Sequence, residues 1–155
     1  MRFAQFKVGD VIAAGMRRIE EVHILEFARD FDPQPFHVDT VVAGRSRWGG
    51  IIASGWHTCS LAMALVVEHV LTGSESFGSP GVDDLRWEAP VRPGDELSLT
   101  LTVLSTRVSS SGAIGIVRWR WKLHNQDRVR VLSLVATSLF ALGESKSMPA
   151  GSRSV

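Results

Sequence analysis

Hydrophobic and polar positions recur with two different periods along this chain, and the change of period divides it in half. Over residues 20–31 the apolar side chains Ile24, Phe27, Ala28 and Phe31 fall at i, i+3, i+4 and i+7, the spacing of one helical face. Pro33 biases Asp32 away from α geometry, so the helix is predicted to stop there, with Pro35 holding the next residues extended. Ser54 is an N-cap candidate for a second helix reaching about Leu71. Trp56, Cys59, Leu61, Met63, Leu65, Val66, Val67 and Val70 cover nearly every side of that helix. A helix apolar all round is expected to be buried all round, so something must wrap it.

The second half supplies the wrapper. Leu97, Leu99, Leu101 and Val103 alternate with Ser98, Thr100 and Thr102, and Val117, Trp119, Trp121 and Leu123 alternate with Arg118, Arg120, Lys122 and His124. Period-two alternation is the mark of a half-buried strand. Residues 129–140 form a third run rich in β-branched side chains, 82–87 an earlier strand stopped by Pro90, and 11–16 a short strand after the Gly9-Asp10 turn. Ser109 to Gly112 and Asn125 to Asp127 punctuate the long runs as hairpin turns. Long antiparallel strands with one enclosed helix predict an α+β domain whose curved sheet wraps that helix.

Composition narrows the function classes. A chain of 155 residues, 45% hydrophobic and 21% charged, is long enough for one domain with a real core. Residues 1–142 are expected to form that domain, and the small, polar stretch 143–155 to be a frayed tail. A formal charge of +1 argues against a protein that binds nucleic acid through its phosphates. The single Cys59 rules out a disulfide framework or a cysteine-rich metal site. No secretory signal is visible at the start, and the longest apolar run, 56–71, is short for a membrane span and carries His57, Glu68 and His69. A cytoplasmic protein with no membrane association is expected.

The chemistry concentrates in Phe31-Asp32-Pro33-Gln34-Pro35-Phe36-His37, where a carboxylate and an imidazole are held by a stiff loop. Soon after comes Gly50-Ile51-Ile52-Ala53-Ser54-Gly55, leading into the central helix. These stretches, with Leu85-Arg86-Trp87-Glu88-Ala89-Pro90-Val91-Arg92-Pro93-Gly94-Asp95, resemble the MaoC-like hydratase/dehydratase branch of the hotdog fold. The first matches the family pattern Asp-x-Asn-Pro-hydrophobic-His. The likeness covers roughly residues 6–142. Two departures stand out: Gln34 replaces the more usual Asn, and Ser54 stands where a His often precedes the helix glycine.

The resemblance implies reversible addition of water to a trans-2-enoyl thioester, giving an (R)-3-hydroxyacyl thioester. Asp32 and His37 together would grip one water that serves both the attack and the proton delivery, while backbone N–H groups near Gly55 stabilise the enolate oxygen. Gly55, Ser54, Gln34 and Trp56 are the expected substrate contacts, although an N-cap role explains Ser54 equally well. Gly55, lacking a side chain, would let a ligand carbonyl approach closely. No cofactor is expected beyond the coenzyme A carried by the substrate, and no metal, since no histidines fall at metal-ligand spacing. Arg45, Arg47, Arg86 and Arg92 are candidate phosphate contacts, and each serves equally as a solvated surface residue. His57 is expected to be a satisfied buried histidine, and His23, His69 and His124 structural or surface residues. Trp48 and Trp56 are expected to narrow the substrate tunnel. The family also implies a homodimer or a dimer of dimers, with the tunnel at the interface. Two other readings remain open. A hotdog thioesterase would need a carboxylate on the central helix, where only the distant Glu68 is available. A non-catalytic acyl-binding subunit of a heteromeric dehydratase would tend to lack the acid or the base.

Overall fold

The computed structural model describes residues 1–143, so the expected tail lies outside the described residues from 144 onward. A 3₁₀ turn (Phe3–Gln5) precedes β1 (Val11–Arg18), α1 (Glu21–Phe31), α2 (Pro35–Val38), α3 (Thr40–Arg45) and α4 (Gly55–Val66). Helix α4 runs on into a π-helical turn (Val67–Leu71), and the strands β2 (Ser76–Trp87), β3 (Glu96–Val108), β4 (Ile114–His124) and β5 (Arg130–Ala141) complete the chain. All pairings are antiparallel, in the order β1-β3-β4-β5-β2. The five-stranded sheet packs against α4 in the α+β hotdog arrangement.

The alternation read from the sequence is the alternation of burial. Leu97, Leu99, Leu101 and Val103 on β3 and Val117, Trp119, Trp121 and Leu123 on β4 point into the core with little or no exposure. They meet Ala62, Leu65, Val66 and Val70 of the central helix in one cluster. Trp119, buried completely, donates its indole N–H to Ser138 Oγ at 3.2 Å, which satisfies its one polar atom. The two tryptophans that alternate with basic residues are therefore core residues. Gly15 sits at a β1 irregularity with φ +77°, and a Cβ there would lie 2.1 Å from the His69 ring. Glycine is what lets the π-helical turn lean on this strand.

Two expectations need correction. Pro35 does not keep the chain extended: it occupies the first position of the one-turn α2, where its fixed φ suits a helix and its missing N–H has no partner to lose. Nor is α4 enclosed on every side. Trp56 is 56% exposed and Met63 and Val67 are each 43% exposed, because the sheet covers one flank of the helix and α1 another, leaving a third uncovered in the single chain. Among the described residues no helix is long and apolar enough to cross a membrane.

Candidate active site

Asp32 is the C-cap of α1, where Pro33 ends the helix, and its N–H still reaches the Ala28 carbonyl at 2.9 Å. The single turn of α2 then carries His37 back toward it. His37 is buried, and its Nδ1 lies 2.7 Å from the Ile52 carbonyl oxygen. A carbonyl can only accept, so Nδ1 carries the proton and donates it. In the neutral ring, Nε2 is then an acceptor, and it faces Asp32 Oδ2 at 3.5 Å, beyond the range of a good direct hydrogen bond.

The carboxylate is fixed from two other directions. Ser54 Oγ donates to Asp32 Oδ2 at 2.7 Å, and Gln34 Nε2 donates to Oδ1 at 2.8 Å. Burial pushes this carboxyl up, but the Ser54 and Gln34 hydrogen bonds, joined by His37 once its ring is charged, hold it below its ordinary value. Asp32 is therefore ionised at neutral pH. Since the folded value lies below the unfolded one, the ionised group favours the fold above the ordinary carboxylate range. That contribution is lost as pH falls through the depressed value.

Ser54 is also the N-cap of α4, its oxygen accepting from the Trp56 N–H at 3.2 Å. One hydroxyl thus ties the helix start to the carboxylate. The Gly55 N–H sits at the positive end of the helix dipole, where first-turn donors lack intrahelical acceptors. A Cβ at position 55 would lie 2.3 Å from the Trp87 indole, so the close approach of this ring by itself requires glycine there.

Asp32, Gln34, His37, Gly55 and Trp56 all line one cavity of about 470 Å³, walled also by Trp48 and Trp87. Ser54 does not line it: the residue has no exposure and stands behind Asp32, so the expected substrate contact is corrected to a cap and carboxylate donor. A second, apolar cavity of about 560 Å³, lined by Cys59, Met63, Leu85, Trp121 and Leu134, has Trp56 in its wall as well. Trp56 and Trp87 meet edge to face at 5.3 Å and partition the two spaces.

The remaining histidines stay outside. His57 is buried as expected, stacked on Phe27 at 4.6 Å, but its Nδ1 has no hydrogen-bond partner, so it is not satisfied. Burial pushes its pKa down, with help from His23. His23 and His69 are exposed and His124 is half-buried. Arg92 is engaged locally, donating to the Trp48 carbonyl at 2.7 Å, and Arg47 lies over the Trp48 ring at 5.3 Å. Among the described residues, no three His, Cys, Asp or Glu side chains converge as a metal site. Sequence reasoning missed the Ile52 carbonyl and the donors to Asp32. A backbone acceptor leaves no trace in residue types, whereas the two departures at Gln34 and Ser54 did mark the donor positions.

Residues 5–118 match the model of the MaoC like domain. The chain belongs to the MaoC-like family. The uncharacterized protein YdeM of Bacillus subtilis is 30% identical to it over 131 residues, 84% of this chain and 92% of that protein. The crystal structure of a MaoC-like dehydratase from Rhodospirillum rubrum is 37% identical with a TM-score of 0.82, covering 89% of this chain and 94% of that one. The unliganded R-hydratase PhaJ1 from Pseudomonas aeruginosa shares the fold, at 23% identity and a TM-score of 0.72 over 96% of this chain and 94% of that one.

Removing a donor should free the carboxyl to take up a proton more readily. Ser54→Ala is expected to raise the Asp32 pKa, followed as the carboxyl ¹³C shift against pH. A titration that does not move would mean that the hydroxyl is not bonded to the carboxylate in solution.

Proposed function

We propose that this MaoC-like protein catalyses the reversible hydration of trans-2-enoyl-CoA to (R)-3-hydroxyacyl-CoA. Family membership supports hydratase/dehydratase-type chemistry on acyl-CoA-like substrates, and one observation carries the finer reading. Two acceptors, Asp32 Oδ2 and the neutral His37 Nε2, face one another 3.5 Å apart on the wall of a cavity. Two acceptors cannot bond each other, but a single water has two protons to offer and can bond both.

The reaction then follows from the arrangement. The water oxygen attacks the β-carbon while one of its O–H bonds breaks toward the Asp32–His37 pair. The double-bond electrons move toward the thioester and charge builds on its oxygen as an enolate, which the Gly55 N–H stabilises at the positive end of α4. The enolate collapses, and its α-carbon takes the proton back from the pair. The net addition is one hydroxyl and one hydrogen, and the protein ends as it began. Gln34 and Ser54 keep Asp32 ionised, so the proton it shares is readily returned.

The competing readings have less behind them. Thioester hydrolysis would use a carboxylate on the central helix, yet Glu68 lies in the π-helical turn beyond α4 and pairs with Arg17 at 3.1 Å. A non-catalytic subunit has no use for an imidazole oriented by a backbone carbonyl and a carboxylate held by two donors.

The acyl chain goes past Trp56 into the apolar cavity, whose lining suits hydrocarbon. That cavity opens on the face where Trp56, Met63 and Val67 of the central helix and Val82 of the edge strand β2 are exposed. We take a second copy of the chain to cover this face, since contiguous apolar surface and an open strand edge are both liabilities in water.

Asp32→Asn and His37→Ala should each lower kcat for hydration of crotonyl-CoA by about 10²–10⁴-fold, read as loss of enoyl absorbance, with folding checked by circular dichroism. Near-parental rates in either variant would contradict the assignment, and free thiol release without absorbance loss would favour hydrolysis. With enoyl-CoA substrates of increasing chain length, Trp56→Ala is expected to shift kcat/KM toward longer chains; an unchanged preference places the acyl group elsewhere. Sedimentation equilibrium should give a dimer or a multiple of it, whereas a monomer at micromolar concentration would leave the apolar face without its proposed cover.

A further inference from the structure

Among the described residues, three cations that enter no ion pair lie together on the outer face of the sheet, away from α4. Trp119, Trp121 and Leu123 point into the core, so the residues between and before them on β4 point outward, among them Arg120 and Lys122. Lys122 is paired with Ser133 on β5, and Ser133 with Arg86 on β2, which puts Lys122 and Arg86 on one rung, with Arg120 on the same face opposite Val135.

Arg86 owes this place to a bulge. From Asp83 to Arg86 the edge strand advances three residues while β5 advances two, from Val135 to Ser133. The extra residue puts Asp83 and Arg86 on the same outer face and leaves Trp87 for the site cavity. Asp84 absorbs the distortion with φ +50°, a left-handed conformation that Asp tolerates better than most residues.

The neighbouring arginines are spoken for. Arg118 pairs with Asp83 at 2.8 Å, and Arg130 with Glu88 at 2.6 Å. Arg86, Arg120 and Lys122 have no carboxylate within ion-pair distance among the described residues. They line a groove of about 550 Å³ that also carries Asp84 and Glu88. Glu88 belongs to the wall of the site cavity too, so the groove meets the mouth of the site where β2 ends.

We propose that this groove holds the phosphate-bearing end of the acyl carrier, the 3′-phosphorylated ADP of coenzyme A, while the thioester reaches round the end of β2 to Asp32 and His37. The proposal rests on the thioester reading above. Arg86 and Arg120 offer planar guanidinium forks and Lys122 a point charge, a set suited to several phosphates close together. A compact polyanion needs to reach only the three cations, although Asp84 and Glu88 line the same groove. A broad acidic protein surface would be opposed by both, which favours the nucleotide over an acidic carrier protein.

The test uses the full chain and the double variant R120A/K122A, whose altered side chains face away from the core. Adenosine 3′,5′-bisphosphate titrated calorimetrically should bind the parent protein and bind the variant about tenfold or more weakly. The variant should also raise KM for crotonyl-CoA with kcat unchanged, and leave the kinetics of crotonyl-pantetheine, which has no nucleotide, as in the parent. Equal bisphosphate affinity in both proteins, or none in the parent, overturns the proposal. So does a variant that slows only a thioester on a carrier protein. If the bisphosphate result holds but no enoyl thioester is hydrated, the hydration reading fails and the anion site stands. If hydration proceeds with KM for crotonyl-CoA unmoved, the reverse is true.

Discussion

The site depends on a division of protons between two side chains that cannot satisfy each other. The Ile52 carbonyl takes the Nδ1 proton of His37, and Ser54 and Gln34 supply protons to both oxygens of Asp32. What is left between the rings and the carboxylate is a pair of lone-pair-bearing atoms at 3.5 Å, polar, nearly buried, and bordering a cavity. Asp32 Oδ2 keeps acceptor capacity beyond the bond from Ser54, and water is the molecule that can donate to it and to His37 Nε2 at once.

Much of the fold serves to hold those atoms in place. Pro33 stops α1 at Asp32, and Pro35 starts the short turn that swings His37 back. The segment carrying Ile52 is pinned from the other side, because the Ala53 N–H bonds the Val91 carbonyl at 2.8 Å. Ser54 then joins the carboxylate to the start of α4. The same helix start that orients the carboxylate also presents the Gly55 N–H, so the groups proposed to activate water and the donor proposed for the developing charge share one rigid frame.

The outer frame was legible in the sequence because strand and helix periods report burial directly. The alternation through Leu97 to Val103 and Val117 to Leu123 put the right faces inward, and Ser54 and Pro33 marked helix ends through their own backbone chemistry. Asp32 and His37 were found through the spacing of a loop motif. What stayed hidden depends on contacts between distant segments. The one-turn α2 is too short to show a period, and Pro35 is compatible with either outcome. The Ile52 carbonyl and the Trp87 ring over Gly55 exist only once 15 and 32 positions of intervening chain have folded, respectively. The uncovered flank of α4 misled for a similar reason: an all-apolar helix signals that its surfaces are covered, but not whether its own chain does the covering.

The most direct measurement is the location of hydrogen at the Asp32–His37 pair by neutron diffraction from crystals held at mildly alkaline pH. The account predicts deuterium on His37 Nδ1 pointing at the Ile52 carbonyl, none on Nε2, and one D₂O molecule donating to both Nε2 and Asp32 Oδ2. Deuterium on Nε2 aimed straight at the carboxylate, with no solvent bonded to the pair, would contradict it.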